Sequence, residues 1–132
     1  MTIPFDANYD PAALVLPAAL TGVVRRRPQV SLPALIDTGA DLTAIPDTAV
    51  KRLRLYAVGR MEVEDVHARV EVADIYTVRL SIADLPGREM EVVSTEQPFV
   101  ILGRDWLEDY YLLLNGPEQT FLLSDTPLLE NA

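Results

Sequence analysis

Residues 32–41 read LPALIDTGAD, an apolar run that ends in an aspartate and a glycine-containing turn. The run has the length and composition of a buried β-strand, and Asp37 follows it directly. Gly39 suits a turn that needs unusual backbone angles or close backbone approach, where amides can hydrogen-bond the Asp37 carboxylate. The pattern therefore predicts a carboxylate on a tight turn at a strand end. An ordinary structural turn is the alternative, because Asp-Thr-Gly also suits turns by chance.

Residues 100–105 read VILGRD and form a second motif far downstream. Its apolar run is typical of a strand that is buried on both faces. Gly103 ends this run, and the charged pair Arg104 and Asp105 then predicts the opening of a short helix. At the start of a helix, Asp105 is expected to cap the helix or to stabilise its dipole. It is not expected to form a catalytic pair with Asp37.

Together, the order and spacing of the two motifs resemble the retropepsin-like aspartic proteases, the single-domain family of the retroviral proteases and their bacterial relatives. The resemblance covers residues 32–123, most of the chain. It implies that Asp37 is the catalytic carboxylate and that Gly39 belongs to the same catalytic turn. It also implies that the Thr38 hydroxyl locks this turn to the equivalent threonine of a second active-site turn.

The same resemblance assigns roles to residues around the turn. Ala40 and Asp41 are expected to bind substrate, Asp41 through the substrate backbone. Gly103 and Arg104 are expected to give structural support, with Arg104 paired to Asp41 so that the loop is tied to the helix. A bidentate bridge between arginine and carboxylate would fix the loop geometrically. The alternative is two solvated charges on unrelated loops.

The chemistry of peptide hydrolysis explains why one such turn is not enough. Without a metal or a covalent intermediate, one group must take a proton from water and another must donate one. Two carboxylates about 3 Å apart cannot both ionise, so a shared proton supplies an acid and a base together. The chain contains a single Asp-Thr-Gly turn. Two copies must therefore meet, and a C2 homodimer with Asp37 of each subunit near the axis is expected.

In this family a flap, a mobile lid, closes over the substrate. The resemblance implies that the hairpin between residues 61 and 72 is that flap. Its tip is expected at residues 64–67. Asp65 and Val66 at this tip are predicted to contact the substrate.

The predicted flap departs from the family pattern in its composition. No glycine lies between Gly59 and Gly87, whereas family flaps commonly have glycine at the tip. A lid that binds substrate through backbone amides does not require particular side chains. Three acidic residues would favour cationic peptides if they face the cleft, and a solubilising hairpin surface is the alternative. These residues are Glu62, Glu64 and Asp65.

Composition narrows the class of protein further. At 132 residues the chain is expected to form one domain, residues 1–132. The absence of cysteine excludes disulfides and thiol catalysis, and no metal or other cofactor is expected. His67, the single histidine, lies in a polar stretch and is predicted to face solvent. A net charge of −9 argues against nucleic acid binding, and the basic run at residues 25–27 is interpreted as a solvated turn or strand.

The apolar residues 12–20 do not predict a membrane segment. They are too few to span a bilayer, include Pro17 and follow Asp6 and Asp10 instead of a basic region. A strand followed by a turn is expected here. A soluble cytoplasmic protein is the resulting prediction, and a domain released from a membrane-anchored relative is the alternative.

The expected fold is mostly β, a closed antiparallel β-barrel with one short C-terminal helix. Residues 30–36 form a strand that leads to the active turn, with Pro33 favouring an edge or irregular position. Another short helix is predicted from Pro46 onwards. Two final strands are expected at residues 111–114 and 120–123. Alternation over residues 70–82 predicts one sheet face made of Val70, Val72, Tyr76, Val78, Leu80 and Ile82.

The sequence thus predicts a homodimeric aspartic endopeptidase that acts on peptide or protein substrates. Two other classes stay open. One is a catalytically silent peptide-binding or scaffolding domain with the same fold, which the atypical flap favours. The other is a plain β domain in which the Asp37 motif is a coincidence.

Overall fold

Strands make up most of the regular structure in the computed structural model, which describes residues 2–64 and 67–128. The strands are β1 (Ile3–Pro4), β2 (Val15–Thr21), β3 (Val30–Ile36), β4 (Ala44–Pro46), β5 (Gly59–Glu64), β6 (Val70–Ile82), β7 (Arg88–Thr95), β8 (Val100–Leu102), β9 (Tyr111–Asn115) and β10 (Thr120–Ser124). The helices are α1 (Asp47–Arg52) and α2 (Arg104–Leu107). The predicted helix after Pro46 and the predicted C-terminal helix are both present. No helix of the described ranges is long and apolar enough to cross a membrane.

Two sheets organise the strands. The larger has the order β2-β3-β8-β4-β7-β6-β5, and β2 also pairs with β6. The smaller has the order β1-β10-β9. The pairing is mostly antiparallel, as expected, but β3 pairs with β8 in parallel, as does β4 with β7. The parallel pair β3–β8 places Ile36 opposite Leu102. Consequently the Asp37 turn and the Gly103 motif begin at the same edge of the sheet.

Side chains alternate between the two faces of β6, and one of these faces packs into the core. Val78, Leu80 and Ile82 are buried, as the period of two predicts. Val70 and Val72 have the same parity on the strand but are 59% and 66% exposed. Burial ends there because this part of β6 pairs only with β5, in a hairpin.

Pro33 occupies an interior strand, although proline favours sheet edges. Strand β3 lies between β2 and β8. Pro33 stands directly opposite Pro17 of β2, so neither position requires a backbone N–H for the other. Pairing with β8 begins one residue later, at Ala34. The proline therefore interrupts no hydrogen bond between these strands. The predicted edge or irregular position is wrong, since β3 is a continuous interior strand.

Helix α2 is packed against the core through its aromatic residue. Trp106 is buried and stacks on Tyr110, with 4.5 Å between ring centroids. Burial raises the pKa of the Tyr110 hydroxyl, and the Asp109 carboxylate raises it further. From β7, Arg88 Nη2 donates to the Asp105 carbonyl at 3.1 Å. These contacts fix the position of α2 beside the Asp37 turn.

Candidate active site

The Asp37 turn is held by its own backbone and by β8. The Asp37 amide donates to the Leu102 carbonyl at 3.0 Å, which attaches the turn to the neighbouring strand. The Gly39 amide donates to Asp37 Oδ1 at 2.9 Å, and the Ala40 amide donates to the Asp37 carbonyl at 3.2 Å. The carboxylate is therefore oriented by a backbone donor. Asp37 and Thr38 are both exposed in the single chain.

Gly39 allows a close approach to the Asp37 side chain and does not adopt an unusual backbone angle. Its φ lies outside the left-handed region. A Cβ at this position would stand 3.3 Å from Asp37 Oδ1, close to the oxygen that the Gly39 amide binds. Of the two reasons predicted for this glycine, close approach is the one that applies.

Gly103 allows the start of α2 to approach the Leu42 backbone even more closely. A Cβ here would lie 2.5 Å from the carbonyl carbon and oxygen of Leu42. Backbone atoms cannot move aside as the end of a flexible side chain can. The start of α2 can contact the loop after Asp41 only because residue 103 has no side chain.

Helix α2 is attached to the active turn by three contacts. The Arg104 amide donates to the Ala40 carbonyl at 2.8 Å, and the Asp105 amide donates to the Asp41 carbonyl at 3.2 Å. The Arg104 guanidinium forms an ion pair with the Asp41 carboxylate. Both side chains are mainly exposed, so the pair contributes at most about 1 kcal/mol to stability. Its main effect is to orient Asp41 and the loop that carries it.

A buried threonine makes a further connection, which the sequence did not reveal. Thr43 is fully buried, and its Oγ1 donates to Asp105 Oδ1 at 2.7 Å while accepting the Gly103 amide at 3.1 Å. The Thr43 amide donates to Asp105 Oδ2 at 3.0 Å. Periodicity and motif spacing give no signal for this contact, because the two residues are 62 positions apart. The one available hint is a polar residue immediately before the apolar β4.

One of the two roles expected for Asp105 is wrong, and the residue has a partner that was not expected. The N-cap of α2 is Gly103, without a side-chain hydrogen bond, so Asp105 does not cap the helix. It lies in the first turn, where its Oδ1 also accepts the Trp106 amide at 2.8 Å. That position is compatible with the predicted dipole interaction, but its principal partner is Thr43. Both carboxylate oxygens of Asp105 are occupied within the chain. Asp37 and Asp41 are the exposed carboxylates of this cluster, and Asp41 is paired with Arg104.

An antiparallel hairpin is present where the flap was expected. Residues of β5 pair with the first half of β6, from Gly59 opposite Ile75 to Glu64 opposite Val70. The predicted contact residues Asp65 and Val66 lie outside the described residues. His67 is exposed, as predicted.

The register of this hairpin defines which side chains share a face. Glu62 stands opposite Val72, and Glu64 stands opposite Val70. Directly opposed residues of an antiparallel pair lie on the same face, so acidic and apolar side chains are mixed there. By alternation along β6, this face continues the side that contains buried Val78.

Potential metal ligands do not gather in the part of the chain that the structure describes. No group of three or more His, Cys, Asp or Glu side chains within residues 2–64 and 67–128 is placed to hold a metal ion. The turn itself supplies the Asp37 carboxylate, the Thr38 hydroxyl and backbone amides.

Comparison with known proteins agrees with this geometry. Residues 28–109 match the family described as "gag-polyprotein putative aspartyl protease". None of the curated proteins matches the sequence at a significant level.

Solved structures of aspartic proteases share the fold. A retropepsin-like aspartic protease from Rickettsia conorii is 15% identical, with 93% of this chain and 90% of that chain covered and a TM-score of 0.57. The simian foamy virus protease is 19% identical, with 72% and 92% covered and a TM-score of 0.55. The EIAV protease, solved with the inhibitor HBY-793, is 20% identical, with 74% and 86% covered and a TM-score of 0.50.

The family match extends over most of the chain and includes both the Asp37 turn and the Arg104 helix, whose contacts form the site described above. The protein therefore belongs to the gag-polyprotein aspartyl protease family and has a retropepsin-like fold.

Proposed function

We propose that the protein is a homodimeric aspartic endopeptidase whose active site takes one Asp37 from each subunit. The observation that carries this proposal is the Asp37 turn itself. Its carboxylate is exposed and is oriented by the Gly39 amide. Helix α2 holds the turn through the hydrogen bond from the Arg104 amide to the Ala40 carbonyl. A single chain supplies one such carboxylate, and a second copy related by a two-fold axis would supply the other.

The dyad would work through one shared proton. Two carboxylates brought within about 3 Å cannot both be charged, so one stays protonated. The ionised carboxylate takes a proton from water, which attacks the scissile carbonyl. The protonated carboxylate donates its proton to the carbonyl oxygen. The first carboxylate then passes the proton that it took from water to the leaving amine, and the collapsing tetrahedral intermediate returns a proton to the second carboxylate. Thr38, next to each Asp37, would lock the two turns together through its hydroxyl.

The rest of the fold would position substrate over this pair. The pairing of β2 with both β3 and β6 supports a closed barrel, which would give each turn a rigid base. Ala40 and Asp41 would bind the substrate backbone beside the dyad. The β5–β6 hairpin would close over it as a lid, with Asp65 and Val66 near its tip. The face with Glu62 and Glu64 favours substrates that combine cationic and apolar side chains.

A catalytically silent peptide-binding domain is the second candidate. The hairpin favours it, because no glycine occurs between Gly59 and Gly87 to give the lid free backbone rotation. The oriented carboxylate favours the protease, since binding alone gives no reason for two carboxylates to meet.

Cleavage of a peptide library separates these two functions. We expect Asp37→Asn to fold and dimerise like the wild type but to lose cleavage, because the amide cannot act as the base. Asp84→Asn is a matched control, since Asp84 is an exposed aspartate in the turn after β6. Undiminished cleavage by Asp37→Asn, or no cleavage by any form under conditions where the dimer persists, would contradict the proposed protease.

A further inference from the structure

Basic residues are concentrated in two short segments of this acidic chain. Six of the 11 basic residues lie within residues 22–29 and 51–56, and none of the 20 acidic residues lies there. These six are Arg25, Arg26, Arg27, Lys51, Arg52 and Arg54. All six are exposed, and no salt bridge joins them to a carboxylate within residues 2–64 and 67–128. The charge of the chain is therefore strongly uneven.

The fold brings the two segments together. Residues 22–29 connect β2 to β3, and residues 51–56 include the end of α1 and the turn after it. Gln29 of the first segment and Arg52 of the second line one cavity of about 420 Å³, with Ser31 and Thr48 also in its wall. Amide, hydroxyl and guanidinium groups are hydrogen-bond donors that suit an anion. We call residues 22–29 and 51–56 the basic face.

The basic face also contains the two most exposed large apolar side chains of the described ranges. Val24, directly before Arg25, is 95% exposed, and Tyr56, two residues after Arg54, is 88% exposed. One exposed apolar residue alone needs no explanation. Two of them beside clustered cations are typical of a surface that meets anionic lipid headgroups and inserts apolar groups among them.

The basic face and the Asp37 turn lie at opposite ends of β3. Residues 22–29 precede the first residue of this strand, and Asp37 follows its last residue. The 7 residues of β3 span about 20 Å when extended. Exposed charges more than about 8 Å apart are largely screened at physiological ionic strength. A partner held by the basic face would therefore leave the Asp37 turn free, and the carboxylates at that end would oppose the contact only weakly.

We propose that the basic face docks on the surface of a bilayer that contains anionic lipids. The arginines bind headgroup phosphates, while Val24 and Tyr56 enter the boundary between headgroups and acyl chains. The apolar residues favour a bilayer over a nucleic acid, which also offers phosphates but has no apolar layer for Val24. This docking goes beyond the proposed function, because peptide hydrolysis does not require a membrane.

Co-sedimentation with vesicles tests the docking. The wild type should pellet with vesicles of equal parts phosphatidylcholine and phosphatidylglycerol, but not with vesicles of phosphatidylcholine alone. Added salt should release it, because salt screens the attraction between arginine and phosphate. A wild type that binds neither kind of vesicle at low salt, or binds both equally, would overturn the proposal. Binding to a single-stranded oligonucleotide without binding to anionic vesicles would overturn it in favour of a nucleic acid partner.

Matched charge variants locate the contact on the protein. Arg26→Ser removes one cation of the basic face and should lower the affinity for anionic vesicles about fivefold. Arg60→Ser makes the same change in net charge on β5, where the Arg60 side chain is 77% exposed, and should leave the affinity unchanged. Equal losses in the two variants would show that net charge alone matters and would overturn the basic face as the docking surface.

A fluorescent label tests the insertion of Val24. The chain has no cysteine, so Val24→Cys and Val72→Cys can each carry a single environment-sensitive fluorophore. Val72 is the control, since it is also exposed, at 66%, but lies on the β5–β6 hairpin. On anionic vesicles the emission of the label at position 24 should shift to shorter wavelength, and that at position 72 should not. Any other pattern would overturn the proposed insertion.

Discussion

The Asp37 turn and the β5–β6 hairpin are supported in opposite ways. The turn is joined to a distant part of the chain by backbone hydrogen bonds, an ion pair and the buried Thr43. The hairpin pairs chiefly with itself, and Val70 and Val72 remain exposed on it. The difference shows which region the fold holds in one geometry and which region it leaves weakly attached.

This contrast fits the demands of the proposed reaction. A shared proton requires two carboxylates at hydrogen-bond distance, and a small displacement of either turn would abolish it. A lid must open for substrate and close over it, and such elements come from the less stable parts of a fold. The next three predictions test the two regions separately, from the largest expected effect to the smallest.

Gly103, where the start of α2 contacts the Leu42 backbone, should be the position at which substitution lowers stability most. Gly103→Ala would place a Cβ 2.5 Å from Leu42 backbone atoms, so α2 and the loop must separate. We expect a loss of about 3 kcal/mol in the free energy of unfolding, measured by urea denaturation. Gly116→Ala is the control, because a Cβ there meets nothing within 4 Å. Equal stability of the two variants would mean that the close approach is unimportant.

Loss of the Thr43 hydroxyl should have the second-largest effect on stability. Thr43→Val keeps the side-chain shape but leaves Asp105 Oδ1 and the Gly103 amide without this partner. We expect a loss of about 1 to 3 kcal/mol in unfolding free energy and a larger proportional loss of peptidase activity. Thr43→Ser retains the hydroxyl and should restore most of both. A Thr43→Val variant as stable and as active as the wild type would contradict a structural role for the hydroxyl.

The hairpin should respond in activity and not in stability. Val72→Ser changes a residue that is 66% exposed, so the unfolding free energy should change by less than about 0.5 kcal/mol. If the hairpin covers substrate, kcat/KM should nevertheless fall. Val78→Ser is the matched comparison on the buried half of the same strand and should be strongly destabilising. Unchanged kcat/KM in Val72→Ser would remove this face of the hairpin from the substrate site.

Local patterns predicted the parts of the site that are close in sequence. The apolar run before Asp37 predicted β3 with its observed bounds, and VILGRD predicted a strand followed by a short helix. The ion pair of Asp41 with Arg104 was expected only because the two motifs resemble a known family. Composition and alternation also predicted that the fold is mostly β.

The missed features depend on contacts between distant segments. The parallel pairing of β3 with β8 leaves no trace in the pattern of either strand. Pro33 is accommodated by Pro17, which no rule for single strands could anticipate. The Thr43–Asp105 contact is a buried hydrogen bond whose partners reveal themselves only when the two segments pack together.

Mixing subunits tests the central claim of a two-chain active site most directly. If each site needs Asp37 from both chains, a heterodimer of wild type with Asp37→Asn should be inactive. After complete exchange at equal concentrations, roughly a quarter of the dimers are wild type on both sides. Exchange itself is verified by native mass spectrometry of mass-tagged chains. We predict that activity falls to about a quarter of the all-wild-type value at the same total protein; retention of half would indicate independent sites and contradict the composite dyad.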